Sequence, residues 1–562
     1  MKTLLKATKF LLVFLAAALF LFGQTSDATV APAIPSGWTT VPGGGVATPG
    51  PVSVEGNVKA GSYAINDGGA AERIPVTDAA GNFVWTDLPT LLQSAAYGVS
   101  WNSNTDTYTR VGMTASVPVG TDPASSLIPV EANMRRCVVN NAGQVVYYLD
   151  STNSNYKADG TAANLTGADG QVMVQIPAFY ERFTYVAPVY TWEISTAPLP
   201  GFTLDPAFIK DGVQVPYRYI GAYEGVLYDT SAAQYTDGLY LPAFSCTFSS
   251  TGNTISTTAM TGPFALLHVG DKIVISGTTS NNGTFTVASI VSPTSFTTAE
   301  PLVSETDAST VIQYQVDWTA GTGDVLSSVA GHSPAIQATR AQLRQAAFNR
   351  GPGWRDEDYD LYSAVQLLYL VEYASFNSQA MIGPGITNVT DWIAYNNQNP
   401  IAPTGNSDGI GNATGNTAGS TASATEMTMY MSYRGIEDWY GHIWTFVDGV
   451  NIGNYIPYVS NTASNWADDT STNYTSLGIT LPNSDGWQST LAEISRGFLP
   501  LTVGASSSTK ITDYYYNPAS TGWRVGLAGG SANAGAYAGA FYLNASSGSG
   551  YADHSVGGRL CY

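Results

Sequence analysis

The passage most informative about the fold is Tyr433-Arg434-Gly435-Ile436-Glu437-Asp438-Trp439-Tyr440-Gly441-His442-Ile443-Trp444, which leads into Val447-Asp448-Gly449. It sets large aromatic groups among glycines and charged residues. Glycines of this kind permit tight turns or a close approach of two backbone segments. We therefore expect a compact, irregular fold whose core is filled by Trp439, Trp444 and Trp523.

Two further passages accompany this one along the chain. The first runs from residue 349 to 385 and includes Arg350-Gly351-Pro352-Gly353-Trp354. On either side of the Gly-Pro-Gly turn, the periodicity of apolar residues predicts a helix, over residues 339–350 before the turn and over residues 362–374 after it. The second passage is the C-terminus, which contains the segments Gly522-Trp523-Arg524-Val525, Gly529-Gly530, Ala538-Gly539-Ala540-Phe541 and Gly557-Gly558-Arg559-Leu560.

In order, spacing and terminal position, these passages resemble the C-type-lectin-like domain of the formylglycine-generating-enzyme (sulfatase-modifying-factor) type. They are similar above all to the version found in phage tail or receptor-binding proteins and in the variable proteins of diversity-generating retroelements. The resemblance covers most of residues 97–562. It implies an α+β fold: a C-type-lectin-like domain rich in irregular loops with two helices, carrying an inserted small all-β module and a β-rich N-terminal segment. It also implies ligand recognition, and a homo-trimer, since such proteins often trimerise.

The activities of that family are not implied by these residues. The enzymes use a pair of active-site cysteines, whereas Cys561 is the one cysteine near this C-terminus and reads as a packed thiol. Calcium-dependent lectins use Glu-Pro-Asn or Gln-Pro-Asp loops, and neither tripeptide occurs here. The four histidines form no metal-binding spacing and the three cysteines form no CxxC pair. We therefore expect no catalysis, cofactor or metal; a fold alone does not give a ligand.

Composition restricts the class of partner. Of 562 residues, 42 are acidic and 22 basic, which gives a net charge of -20. A nucleic-acid-binding surface needs a basic footprint, so no nucleic-acid partner is expected. Charged residues are 11% of the chain and aromatic residues 12%, with 34 tyrosines. This composition is typical of an extracellular or virion protein rich in β or irregular structure.

The chain also divides into segments of different character. Lys2, Lys6 and Lys9 precede an apolar run, which predicts a signal peptide, with an uncleaved anchor as the alternative. We expect a secreted or cell-surface protein or, alternatively, a virion (phage tail) component. The predicted segments are a signal peptide (1–28), a flexible Pro/Gly linker (29–51), a small β attachment segment (52–96), the first part of the lectin-like domain (97–243), an inserted β-sandwich-like module (244–315), and the second part of the lectin-like domain with the C-terminal variable binding segment (316–562).

The inserted module is predicted from its change in composition. Residues 272–276 form a β-branched run, and residues 284–287 alternate polar and apolar side chains. Asn282-Gly283 between them suits the positive φ angles of a tight hairpin turn.

The C-terminal end carries the candidate binding site. Residues 531–555 use only nine residue types, each reachable from an asparagine codon by changing its adenines, as in a retroelement-diversified segment. Tyrosine with Ser, Asn and Gly is also the mixture of antibody paratopes. We expect an exposed face that binds a host-cell or environmental surface ligand, protein or glycan, and that Tyr514, Tyr515 and Tyr516 extend. The predicted contacts are Ser531, Asn533, Tyr537, Tyr542, Asn544, Ser546, Ser547, Tyr551, Asp553 and His554.

Other readings remain open at this point. The first is an exported hydrolase on the same scaffold. Its carboxylates would be Asp356-Glu357-Asp358, although a solvated loop explains this cluster better. Its nucleophile would be Ser407, although the GxSxG pattern there falls in a polar loop, residues 404–425, that we expect to be mobile. The second is a purely structural virion or surface component.

Two smaller groups have competing interpretations as well. Arg434, Glu437 and Asp438 form either a catalytic constellation or, as we favour, a structural hydrogen-bond cluster. Residues 448–451 either bind calcium or, as we favour, form an Asx turn.

Overall fold

The computed structural model describes residues 95–238, 240–259, 262–389, 402–418 and 429–562, together with four short strands before residue 95. The chain divides into two compact units, residues 1–94 and 95–562. In the first unit, Thr39–Val41 pairs with Gly45–Ala47 and Arg73–Thr77 pairs with Phe83–Asp87, both antiparallel. The predicted linker 29–51 thus contains a short hairpin. The predicted signal peptide (1–28) and most of the attachment segment lie outside the described residues.

The chain is rich in β structure, and the predicted α+β class is wrong. About 38% of residues lie in strands and 10% in helices, and the strands form several sheets and a closed barrel. Many strands are only two to five residues long. Their sequences, broken by glycine and asparagine, look like irregular loops because periodicity cannot be read from so few residues.

Three larger sheets and a barrel build the second unit. In spatial order, the five-stranded sheet consists of Thr203–Leu204, Tyr180–Val186, Val189–Ser195, Ala96–Asn102 and Thr107–Gly112. The six-stranded sheet consists of Arg355–Asp356, Leu560–Cys561, Tyr217–Gly221, Gln171–Pro177, Arg135–Val139 and Val145–Tyr148. The nine-stranded sheet consists of Thr475–Ser476, Ile456–Val459, Trp444–Gly453, Trp523–Ala528, Leu543–Asn544, Tyr514–Tyr516, Gly486–Leu491 and Pro500–Val503, with Val556–Gly557 parallel to Trp444–Gly453.

Three small sheets complete the strand inventory outside the barrel. They consist of Ile209–Lys210 with Val213–Gln214; Gln234–Thr236, Val226–Asp229 and Val325–Ser327; and Gly415–Ala418, Met429–Tyr433 and Ile436–Glu437.

The helices are α1 (Arg340–Asn349), α2 (Tyr359–Tyr373) and the single turn α3 (Ser378–Met381). Helix α1 matches the predicted range, with Thr339 as its N-cap in a capping box. Helix α2 begins three residues earlier than predicted, because the Asp358 carboxylate caps it by accepting from the Leu361 amide. All of α2 is buried, so this helix forms the centre of the main core.

The tryptophan prediction holds for one residue of three. Trp439 is buried and stacks on Tyr433, with ring centroids 5.3 Å apart. Trp444 and Trp523 are partly exposed. Trp444 begins its strand and packs edge-on against Tyr542, while Trp523 lies against Tyr458 at the end of the same sheet.

The inserted module is a closed barrel with a hydrophobic core of its own, where a β-sandwich-like module was expected. Its strands, in order around the barrel, are Tyr240–Ser249, Thr254–Ser256, Ser295–Thr298, Gly283–Ser292, Lys272–Ser276 and Glu305–Tyr314. Ile275 pairs with Gly283, so a six-residue loop joins these strands, and the predicted tight turn at Asn282-Gly283 is wrong. Bulges in the pairing of Tyr240–Ser249 with Glu305–Tyr314 bend the strands enough to close the sheet.

Two segments expected to be solvated are buried. Asp356, Glu357 and Asp358 all lie in the interior, and Asp358 forms an ion pair of 2.5 Å with Arg218. In the predicted mobile loop, Ser407 and Asp408 are buried, and residues 419–425 lie outside the described residues. The sequence hides this burial because Asp358 and Asp408 pair with arginines far along the chain, Arg218 and Arg136.

Candidate ligand-recognition site

Five aromatic side chains meet at one end of the nine-stranded sheet. We call Trp487, Tyr514, Tyr516, Tyr537 and Tyr542 the tyrosine face. The Tyr514 and Tyr537 ring centroids are 4.3 Å apart, and Trp487 lies 5.1 Å from Tyr537 and 5.4 Å from Tyr514. The Tyr542 ring lies 6.0 Å from that of Tyr514, edge-on. These four rings form one connected aromatic surface. Tyr516 has no ring contact with them in the described structure and belongs to the face because it lies on the same side of its strand as Tyr514.

The tyrosine face is open to solvent at its outer rings. Tyr537 is 43% exposed and Tyr516 is 38% exposed. Trp487 and Tyr514 are half-buried between them. Tyr542 forms the floor, because it is only 6% exposed and packs against Trp444 at 4.5 Å. The face therefore offers large, stiff aromatic area supported from below.

Strand pairing explains how distant residues come together here. Trp487 pairs with Tyr514 in adjacent antiparallel strands, and Tyr516 pairs with Asn544 in a parallel pair. Alternate side chains of a strand point to opposite sides. Tyr514 and Tyr516 accordingly point outward, while Tyr515 is fully buried.

The segment that carries Tyr537 is held by polar side chains, of which Tyr362 and Gln366 are buried and Gln379 is half-buried. The Gln379 side-chain amide donates to the carbonyls of Gly535 and Ala538, at 2.9 and 2.7 Å. The Ala540 carbonyl accepts from the Tyr362 hydroxyl and the Gln366 amide, at 2.8 and 2.7 Å.

A second pair of anchors follows immediately. The Asp513 carboxylate accepts from the Phe541 amide at 2.8 Å, and the Gln488 side chain donates to the Phe541 carbonyl at 2.7 Å. Both anchoring side chains are buried. A loop fixed in this way loses little further conformational freedom when a ligand binds.

The electrostatics of the face are nearly neutral. In the described part of the chain, the one carboxylate hydrogen-bonded to these rings is that of Asp485, which accepts from the Tyr514 hydroxyl at 2.8 Å. Burial, with that hydrogen bond, raises the pKa of Tyr514 to about 12. The hydroxyl therefore stays protonated near neutral pH and is held toward Asp485.

Three of the predicted contact residues are buried and cannot meet a ligand directly. Ser531, Tyr542 and Ser547 are 4%, 6% and 9% exposed. The neighbouring Asn533 is exposed, and its side-chain oxygen accepts from the Ser531 hydroxyl at 3.1 Å. These predictions are wrong because composition alone does not tell the floor of a surface from its rim.

Three of the remaining predicted residues, Asn544, Ser546 and Asp553, take part in local turns. The Asn544 side chain accepts from the Ser546 amide and hydroxyl, at 2.9 and 2.8 Å. Asp553 accepts from the Ser555 amide and hydroxyl, at 2.9 and 2.6 Å, so both side chains act as turn formers.

Tyr551 and His554 lie on a separate part of the surface. Tyr551 is exposed, but no ring contact joins it to the tyrosine face within the described residues. His554 is half-buried and lies 3.2 Å from the Asp553 carboxylate. Burial lowers the pKa of His554, although Asp553 opposes this. The predicted set is thus split between two areas.

Sequence reasoning missed Trp487, Asp485 and the anchoring side chains. Trp487 lies 44 residues before Ser531, where the predicted segment begins, and only its pairing with Tyr514 brings it to the face. The run Tyr514-Tyr515-Tyr516 was the one sequence signal that pointed to this strand.

The residues of the hydrolase alternative are structural. Ser407 is fully buried, and its hydroxyl accepts from Arg136 at 2.7 Å while its amide donates to Glu437 at 2.5 Å. A nucleophile needs an accessible hydroxyl beside a base, and Ser407 has neither feature in this geometry. The predicted cluster of Arg434, Glu437 and Asp438 is divided among different partners. Arg434 forms an ion pair of 2.5 Å with Glu372, Glu437 accepts from the Ser407 amide, and Asp438 accepts from the Met431 amide.

Residues 448–451 form neither a calcium loop nor a simple Asx turn. The Asp448 carboxylate accepts from Arg344 at 2.5 and 2.9 Å, and Arg344 also binds Asp468 at 2.7 Å. The Asn451 side-chain oxygen accepts from Arg340 at 2.5 Å. Arginines therefore occupy the oxygens that a cation would need.

One group of side chains has the composition of a metal site. Glu224, Asp438 and His442 are buried, with ligand atoms within 4.8 Å of one another. His442 Nε2 accepts from the Ala402 amide at 2.9 Å, so the ring proton sits on Nδ1, which lies 2.5 Å from a Glu224 oxygen. A metal on Nδ1 would require a proton on Nε2, facing another donor. The geometry fits a hydrogen-bonded histidine–carboxylate pair.

No family model matches the chain, and no curated protein matches it either. Within the described ranges, none of the helices has the length and apolar character that a membrane crossing requires.

Proposed function

We propose that this protein recognises a ligand without catalysis, through the tyrosine face, on the surface of a host cell or another environmental surface. The observation that carries the proposal is a group of aromatic rings, open to solvent at its outer members, on segments fixed from within by polar side chains. Its most exposed members are Tyr537 and Tyr516. Neither solubility nor folding requires large aromatic groups at such positions.

The physical case rests on low entropic cost. Tyrosine and tryptophan have few rotatable bonds and combine an apolar ring with a polar edge, which is why they dominate binding hot spots. The Tyr537 and Tyr514 rings already pack against each other, so binding need not order them. Gln379 and Asp513 hold the backbone beneath.

The character of the ligand follows from the charge of the face. With Asp485 as the carboxylate hydrogen-bonded to the rings and a chain charge of -20, we propose an uncharged or cationic epitope, protein or glycan. The predicted export signal and the motifs similar to receptor-binding and variable proteins favour display on a bacterial surface or a phage tail, in a homo-trimer. These points remain predictions.

The test measures binding of labelled protein to a glycan array and to a panel of intact bacterial cells, with and without protease treatment of the cells. Tyr537→Ala and Tyr514→Ala should each weaken binding by tenfold or more, the effect of losing roughly 1.4 kcal/mol or more at a hot spot. Protease sensitivity distinguishes a protein ligand from a glycan.

Tyr156→Ala is the matched control, because Tyr156 is exposed but has no ring contact with the tyrosine face in the described structure. It should bind as the wild type does. Equal binding by all three variants would refute the proposal, and so would weakening by Tyr156→Ala alone.

A further inference from the structure

A cavity lies away from the tyrosine face, between the five-stranded sheet and the start of α2. It opens to solvent, and its interior has room for about one group the size of a water molecule or an ammonium head. Its walls include the side chains of Glu181, Asp205, Asp360, Arg496, Trp192 and Phe498. Three carboxylates and one arginine therefore line the same narrow space as two aromatic rings.

The single arginine is already used. Arg496 forms two hydrogen bonds of 2.6 Å with the Asp360 carboxylate, so that pair is neutral. Asp205 accepts from the Ala207 amide at 2.8 Å. Arg218, the next cation, is paired with Asp358 at 2.5 Å. Two carboxylates are thus left without a cation.

Glu181 is the more unusual of the two. It is 6% exposed and lines the cavity, yet its carboxylate makes no hydrogen bond in the described structure. Buried carboxylates are costly unless they are paired or protonated. Burial, with the nearby Asp205 and Asp360, raises the pKa of Glu181 well above its usual value. Burial likewise raises the pKa of Asp205 to about 8. A cation bound here would favour the ionised carboxylates and would displace protons from them.

The geometry selects among cations. Within the described residues, Glu181, Asp205 and Asp360 do not form a group whose oxygens all lie within 4.8 Å of one another, as one metal ion's inner shell would need. A primary ammonium has three diverging donors that reach separated acceptors. The rings of Trp192 and Phe498, 5.6 Å apart, supply a wall suited to a cation.

We propose that this cavity binds a primary alkylammonium group, with Glu181 and Asp205 as its acceptors and Trp192 as its aromatic wall. The group belongs either to a free amine or to a lysine side chain of a protein. The site is independent of the tyrosine face, so either proposal can fail alone.

The test is isothermal titration calorimetry of the full chain with putrescine, with N-acetyl-lysine methylamide and with calcium chloride. Each titration is repeated in PIPES and in imidazole buffer, which have different heats of ionisation and contain no primary amine, at pH 6 and pH 8. The amines should bind with release of protons, seen as a buffer-dependent heat, and more tightly at pH 8, because ionised carboxylates no longer have to lose a proton. Putrescine alone binding indicates a free amine, and the lysine derivative binding indicates a side chain.

Glu181→Gln should weaken amine binding about tenfold or more, as expected for loss of a charge-assisted hydrogen bond. Glu493→Gln is the matched control, since Glu493 is exposed in the neighbouring segment. If Glu181→Gln fails to fold by circular dichroism, proton release by the wild type decides. No amine binding at millimolar concentration, binding without proton release, calcium binding in place of amines, or undiminished binding by a folded Glu181→Gln would each overturn the proposal.

Discussion

Replacing Gly539 by alanine tests the rigidity of the tyrosine face. A Cβ at this position would lie 2.2–2.3 Å from the carboxylate atoms of Asp513. That carboxylate is buried and accepts the hydrogen bond from the Phe541 amide. The side chain cannot stay in place, so the variant either displaces Asp513 or shifts the backbone that carries Tyr537.

The magnitude follows from these two consequences. Overpacking a buried position costs about 1–3 kcal/mol, and leaving a buried donor unsatisfied costs about 1–3 kcal/mol. We therefore expect Gly539→Ala to lower the free energy of unfolding by about 2–5 kcal/mol. Gly548→Ala is the matched control, because no atom lies within 4 Å of its added Cβ; it should change stability by less than about 0.5 kcal/mol.

The assay is urea denaturation followed by tryptophan fluorescence, with hydrogen exchange of the Phe541 amide as a local readout. Gly539→Ala should lower the transition midpoint and speed exchange of that amide. A midpoint and exchange rate equal to those of the wild type would show that Asp513 does not anchor this segment, and the account of a rigid face would fail.

Three further predictions concern pH, buried charge and the barrel. Burial raises the pKa of Glu131 and Asp205 to about 8 and of Glu357 to about 7. The pKa values of these carboxyl groups are higher in the folded than in the unfolded chain, so the stability that the groups contribute is present near pH 4 and is lost as the pH rises through 7–8. Urea midpoints should therefore fall from pH 5 to pH 8, and less steeply in Glu131→Gln. A flat profile would contradict this expectation. Arg136→Met leaves Asp408 buried without its cation and should lower the free energy of unfolding by about 3–5 kcal/mol, measured by urea denaturation. Arg182→Met removes a partly exposed ion pair with Glu193 and should cost about 0–1 kcal/mol. Equal effects of the two variants would contradict the role of the buried pair. Phe296→Ala in the barrel core should lower the free energy of unfolding of the barrel by about 3–5 kcal/mol. Because the barrel has a core of its own, hydrogen exchange at residues 514–544 should not change. Altered exchange at those residues would contradict the separation of the two cores.

The sequence was a good guide where the signal is local. Helix α1 was placed to within one residue at each end, because its apolar residues recur at helical spacing and a Gly-Pro-Gly turn follows. Helix α2 was placed with an error of three residues, because Asp358 belonged to a carboxylate run that looks like a solvated loop. The closed barrel could not be foreseen, since closure depends on which strands pair, and no local pattern encodes that.

The candidate site was predicted only in part, because composition is a local signal and the contacts that build the site are not. Tyr537 and the strand of Tyr514 and Tyr516 stand out by composition. The buried floor, Tyr542, carries the same composition and was misassigned. Trp487 was missed because only long-range pairing places it there.

The most direct measurement is a nitration footprint of the tyrosines, read by mass spectrometry, in free protein and in protein bound to the cells or glycan that it recognises. Free protein should be nitrated at Tyr537 and Tyr516, and bound protein should be protected at both, with Tyr156 and Tyr217 reacting equally in the two states. Protection confined to Tyr156 or Tyr217, with Tyr537 and Tyr516 unchanged, would place recognition on another surface and contradict the account.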